Sequence, residues 1–269
     1  MTNARGGSAL TALFREAGRP LLMPYAVGGY PDPGSCLEIL RAYMQNGADL
    51  VEIGIPFSDP LADGPVIQGA SQAALRRGVR PAHVLDLAGA ATREGARVVL
   101  LSYLNTILAF GPEHFFDRCR EEGVLGVVVP DLPVEEASEL QADAQARGVD
   151  VILLAAPTST DARLARIAAA ASGFIYCVST TGVTGARASL RKDLPEFVGR
   201  LRRHTDLPLV VGFGVSTVEQ AEEVAGYADG VIVGSALVDM VARGESSDAA
   251  LAEIGRYLYA VRSTPSFSR

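Results

Sequence analysis

The sequence predicts an α/β protein, a single-domain (β/α)8 barrel covering residues 1–269. Three observations predict it. Eight short, β-branched runs recur in order, and they are apolar nearly throughout rather than alternating, as in strands buried on both faces of a parallel sheet. Helical patterns lie between them, many closed by a glycine a few residues before the next run. Eight strand–helix repeats over about 250 residues match a barrel in number and length, whereas an open doubly wound sheet usually has fewer strands in order.

The first run, Leu21–Val27, leads into a helical pattern over Ser35–Asn46 that Gly47 ends. The second, Leu50–Gly54, precedes the longest gap, which holds the turn-rich stretch Phe57–Gly64, two helical patterns and Gly95. A long, turn-rich insertion directly after a strand is where a barrel places function. The third run is Arg97–Tyr103, and after Gly123 comes the fourth, Gly126–Val129. A helical pattern over Val134–Arg147 and a capping Gly148 lead to the fifth, Val151–Ala155. The helical pattern Ala162–Ala171 separates it from the sixth run, Phe174–Val178. The seventh, Leu209–Gly212, and the eighth, Gly230–Val233, are followed by helical patterns over Thr217–Tyr227 and Ala249–Arg262. Residues 1–8 and 263–269 read as flexible ends.

Composition narrows the function. The chain carries 31 acidic and 24 basic side chains, a net charge of −7, with no long basic run, which disfavours nucleic acid or an anionic membrane as partner. Three widely spaced cysteines, Cys36, Cys119 and Cys177, fit a reducing compartment and no disulfide or zinc framework. Residues 1–7 are polar, unlike a signal peptide, and no apolar run approaches the roughly 18 residues of a membrane span. A cytoplasmic protein with no membrane partner is expected.

In a barrel the chemistry sits at the C-terminal ends of the strands. Glu52 is a carboxylate inside the second apolar run, where burial costs it several kcal/mol unless it is paired or titrates high. It is either a structural ion pair or a general acid–base group poised near neutrality. Asp59 and Asp63 follow closely: either turn formers, with Asp63 capping the helix that begins near Pro65, or a second carboxylate on the same cavity. Glycine-rich turns after the last three runs, 181–185, 212–216 and 233–235, present free backbone amides near helix starts, and the last two fall where barrels bind phosphate. Tyr25, Tyr103 and Tyr176 stand at or near strand ends, as packing residues or as the wall of a pocket for a flat apolar group.

Scarcity excludes as much as presence suggests. Lys192 is the single lysine and lies in a polar stretch, which disfavours Schiff-base and pyridoxal chemistry in this chain. His83, His114 and His204 lie in or beside helical patterns rather than at strand ends, so no metal site is expected. What remains is acid–base chemistry by carboxylates on a phosphorylated substrate that supplies its own electron sink.

These motifs resemble the tryptophan synthase α subunit family over residues 9–262. The most specific stretch is Glu52–Pro65, reading EIGIPFSDPLADGP, supported by Pro130–Glu136, Val178–Gly185 and Gly212–Gly214. The resemblance implies cleavage of indole-3-glycerol phosphate to indole and glyceraldehyde 3-phosphate with no cofactor. It implies Glu52 as the acid–base group and Asp63 as the acceptor of the indole N–H. It also implies an indole pocket lined by Tyr25, Leu101, Tyr103 and Tyr176. The phosphate cradle and mobile loop would be Thr184, Gly185, Gly214, Gly234 and Ser235. A pyridoxal-phosphate β subunit is the implied partner, facing the loops around Pro56–Asp59 and after Tyr103. Thr106 stands where many members carry proline, which keeps a stand-alone lyase releasing free indole as the alternative.

Overall fold

The computed structural model describes residues 7–179, 191–244 and 247–268. Eight parallel strands close into a barrel in sequence order: β1 (Leu21–Val27), β2 (Val51–Gly54), β3 (Val98–Leu101), β4 (Val124–Val128), β5 (Asp150–Ala155), β6 (Ile175–Val178), β7 (Leu209–Gly212) and β8 (Gly230–Val233). β8 pairs with β1 to complete the ring, so no sheet edge is left open. The strands are buried almost throughout, which is why their sequence runs are apolar on both faces.

The outer helices follow from local signals. α1 (Ala9–Ala17) is capped by the Ser8 hydroxyl, which accepts from the Thr11 amide. α2 (Pro33–Gln45) is capped by Asp32, and α3 (Pro65–Arg76) and α4 (Pro81–Arg93) each open on proline, whose missing N–H is no loss at a first turn. α5 (Leu104–Phe110) and α6 (Pro112–Glu121) join β3 to β4, and α7 (Ala137–Gln145), α8 (Asp161–Ala170) and α9 (Leu194–Arg202) continue the ring. α10 (Val218–Ala225) has a capping box between Thr217 and Gln220, and α11 (Ser235–Arg243) and α12 (Ser247–Arg262) close the chain. Gly47, Gly95, Gly123 and Gly148, expected as helix ends, all take a positive φ of 72–95°.

Two expectations change. The third run is shorter than its sequence pattern, since Ser102 and Tyr103 leave the sheet and Tyr103 becomes the residue that opens α5. The stretch expected as a loose tail after 262 is docked as far as residue 268. Phe267 is fully buried, its carbonyl accepts from the Arg262 guanidinium at 2.6 Å, and the Ser266 hydroxyl donates to Glu222 at 2.9 Å. An aromatic anchor outweighed the polar composition around it. At the other end Ser8 is fixed by its capping role, while residues 1–6 lie outside the described residues.

Polar clamps fix the face where the strands begin. Arg19 makes a bidentate pair with Asp49, which also accepts from the Leu22 amide. Asp229 takes both Arg202 and the Leu209 amide. The opposite face is free to carry chemistry.

Candidate active site

Glu52 and Asp63 open onto one small cavity at the mouth formed by the strand C-termini. Parallel register brings Tyr25 of β1 beside Glu52 of β2, and Gly54 beside Leu101 of β3. Tyr25, Glu52, Leu101, Tyr176 of β6 and Ile232 of β8 all line the cavity.

Glu52 is 1% exposed, and its Oε1 has no hydrogen-bond partner among the described residues. No basic side chain among them pairs with it, so the ion-pair alternative is not what the fold builds. Burial, and after it the charge of Asp63, push its carboxyl up to about 8, so at neutral pH Glu52 holds a proton.

Asp63 is placed differently. The residue that opens α3 is Gly64, with no side-chain cap, so Asp63 is not the helix cap that the sequence allowed. Its amide donates to the Pro60 carbonyl at 3.0 Å, and its own carbonyl accepts from Gln68 at 2.9 Å. This turn aims the carboxylate inward, where Oδ2 accepts from the Tyr103 hydroxyl at 3.2 Å. Burial lifts its carboxyl to about 6, with the Tyr103 hydrogen bond pulling the other way. Asp59, the other candidate, is exposed and takes the Ser58 hydroxyl outside the cavity. One protonated and one ionised carboxyl therefore share the site at pH 7.

Tyr103 is not on the cavity wall where the indole-pocket expectation put it; it stands behind Asp63. Its ring stacks on Phe57 at 5.0 Å, and its oxygen also accepts from the Ala62 amide at 3.0 Å. Tyr25 and Tyr176 do line the cavity, and each fits because a neighbouring strand ends in glycine. The Tyr25 hydroxyl fills the place of a side chain on Gly54, and that of Tyr176 the place of one on Gly212.

The far end of the cavity is built of backbone. Phe213 and Gly214 both adopt positive φ, 67° and 78°, a conformation that costs Phe213 energy and turns the chain sharply after β7. Gly234 opens α11 without a side-chain cap, leaving the first amides of that helix available beside Ser235. Gly214, Gly234 and Ser235 thus line the cavity together, while Thr184 and Gly185 lie outside the described residues. Among the described residues no cluster of three or more His, Cys, Asp or Glu could hold a metal ion.

Three lining residues escape a reading of the sequence: Ile67, Phe213 and Ile232. Ile232 sits two residues before Gly234, and Ile67 one helical turn after Asp63, so strand and helix periods could have found them. Phe213 depends on its left-handed backbone, for which the sequence carries no signal beyond flanking glycines.

Comparison with known proteins gives the family and the same fold. The profile of the family described as tryptophan synthase alpha chain matches residues 11–261. The chain is 49% identical over 232 residues to the tryptophan synthase alpha chain of Roseiflexus sp. (strain RS-1), covering 86% of this chain and 89% of that one. It is 51% identical over 222 residues to that of Gloeobacter violaceus, covering 82% and 80%. Among solved structures, tryptophan synthase from Mycobacterium tuberculosis superposes with a TM-score of 0.88 at 40% identity, covering 96% of this chain and 100% of that one. Tryptophan synthase subunit alpha from Legionella pneumophila gives 0.87 at 31%, covering 97% and 99%.

Proposed function

The chain belongs to the tryptophan synthase alpha chain family, and on that premise we propose that it cleaves indole-3-glycerol phosphate to indole and glyceraldehyde 3-phosphate. One observation supports this most strongly: two buried carboxyls, pushed to about 8 and about 6, face one cavity whose other end is a cradle of backbone amides. The phosphate sits at Gly214, Gly234 and Ser235, held by amides and the dipole of α11. The indole ring lies against Tyr176, Leu101 and Ile67, with its N–H directed to the Asp63 carboxylate.

Glu52, which holds a proton at neutral pH, gives it to ring carbon C3. The positive charge that appears on the ring nitrogen is stabilised by the buried Asp63 carboxylate, preorganised by the Tyr103 hydroxyl. The Glu52 carboxylate then takes the proton of the hydroxyl on the carbon bonded to C3. That carbon becomes the aldehyde, the C–C bond breaks, and its electron pair returns to the ring. One proton enters and one leaves, so Glu52 ends as it began. The ring acts as electron sink, and neither a lysine imine nor a metal is needed.

The same chain works as the α subunit of a complex with a tryptophan synthase β subunit, in the cytoplasm. Two exposed leucines, Leu61 and Leu108, stand on the segments that follow β2 and β3 at the mouth, an apolar surface suited to such a partner. The experiment is indole release from indole-3-glycerol phosphate by the purified chain, alone and with β subunit added. We expect slow release alone and a steep rise with the partner; no release in either mixture would refute the assignment.

A further inference from the structure

At the reacting end of the cavity Glu52 Oε1 is buried without a hydrogen-bond partner among the described residues, and Tyr25 and Tyr176 line the same wall. The two hydroxyls pack against the glycines that end β2 and β7. The neighbouring tyrosines are spent otherwise, Tyr103 on Asp63 and Tyr43 on the Tyr25 carbonyl at 2.9 Å. A hydroxyl in a buried wall costs stability that phenylalanine would not, unless something in the cavity completes it.

The placement of Tyr25 says what that is. Its Cβ and Cδ1 lie 3.6 Å from the point where a side chain on Gly234 would begin, and its hydroxyl fills the corresponding place on Gly54. The ring therefore spans the strip between the phosphate cradle at Gly234 and Ser235 and the strand end that carries Glu52. A substrate with its phosphate at one end of the cavity and its indole beside Asp63 must lay its three-carbon chain across that strip. The chain bears two hydroxyls. The one next to the ring exchanges its proton with Glu52, which leaves the middle hydroxyl facing Tyr25. The Tyr25 backbone pairs with Glu52 of β2, follows directly on the last residue paired to β8, and its carbonyl accepts from the Tyr43 hydroxyl, so the side chain is held rather than adaptable.

We propose that Tyr25 is a specificity-determining residue whose hydroxyl hydrogen-bonds the middle hydroxyl of the substrate's three-carbon chain. The proposal rests on the cleavage reaction above and extends it from ring and phosphate to the polyol between them. A site that hydrogen-bonds a hydroxyl rejects analogues lacking it, because its own polar group is then left unpaired. Tyr25 thus makes the cavity a reader of hydroxylated chains and not of any indole phosphate of the right length.

The test compares the unmodified chain with Tyr25→Phe on two ligands. On indole-3-glycerol phosphate, Tyr25→Phe is expected to raise KM about tenfold, the worth of one neutral hydrogen bond, with kcat within twofold. On indole-3-propanol phosphate, which has the ring, the chain length and the phosphate but neither hydroxyl, Kd is expected to change less than twofold. Equal weakening of both ligands would show that Tyr25 only packs, and no change in either would show that its hydroxyl is idle. Selective loss in Tyr176→Phe but not in Tyr25→Phe would assign the contact to the other wall; each of these overturns the proposal. Absence of indole release from the unmodified chain would refute the cleavage reaction itself, and is seen before any variant is measured.

Discussion

Glu52 and Asp63 differ in surroundings more than in chemistry. Both are buried, yet Asp63 keeps a hydrogen-bond donor in Tyr103 while Glu52 Oε1 has none, and their carboxyls separate to about 6 and about 8. The proposed reaction needs Asp63 ionised and Glu52 protonated. The pair should give a bell-shaped pH dependence of kcat/KM, rising through about 6 and falling through about 8 as two steps of a coupled pair. A profile flat from pH 5 to 9 would contradict this. The same burial carries a stability cost whose sign is fixed. The folded chain keeps a proton on Glu52 that the unfolded chain releases near its ordinary value of 4.5, so stability falls as pH rises from 4.5 to about 8 and is level beyond. Glu52→Gln removes that dependence, and at pH 7.5 it should be more stable than the parent by on the order of 2–4 kcal/mol. Thermal unfolding from pH 5 to 8 checks it; a difference between the two proteins that does not grow with pH would contradict it. At this scale the sequence was informative where a residue broke its local pattern. Glu52 stood out as a charge in an apolar run. The Tyr103–Asp63 hydrogen bond did not, because it joins positions 40 residues apart and depends on a turn that no local rule specifies.

At the scale of elements, the strand ends decide the shape of the site. β2 and β7 both stop on glycine, and the rings of Tyr25 and Tyr176 occupy the space those glycines leave. Gly54→Ala should therefore leave the barrel folded, since neighbouring strands keep their pairing, but displace Tyr25 and cut kcat/KM by tenfold or more. A crystal structure of the variant would show the displaced ring, and a parent-like rate would contradict the packing described. The strands and helices were legible because burial on both sheet faces and glycine caps leave regular marks in sequence. Element ends were less so. β3 stops at Leu101 because Tyr103 turns its ring onto Phe57 and opens α5, whose first amide is taken by the Asp131 carboxylate at 2.9 Å. A tertiary contact of that kind overrides the apolar pattern that ran on to Tyr103. Thr106, unusual by the resemblance, fits the same turn, its amide donating to the Tyr103 carbonyl at 3.0 Å.

At the scale of the molecule, one face is clamped by ion pairs and the other carries the cavity and two of the three exposed large hydrophobic side chains among the described residues. Leu108, half exposed on α5, is not among the residues that line the cavity. Leu108→Glu should leave the isolated chain's rate within twofold and weaken activation by the β subunit at least tenfold, read from a titration of indole release against β. Unchanged activation would move the docking surface elsewhere. The barrel, its direction and the glycine turns that line one end of the cavity could be read from eight repeats, because those are global regularities. The docked residues up to 268 could not, since a single aromatic anchor, Phe267, decides them.

The most direct test of the acid–base role is indole release by Glu52→Gln in the presence of β subunit, with binding of indole-3-propanol phosphate measured on the same preparation. We expect turnover to fall at least a thousandfold while the analogue binds as it does to the parent. Turnover within tenfold of the parent, with binding intact, would show that Glu52 does not move the proton.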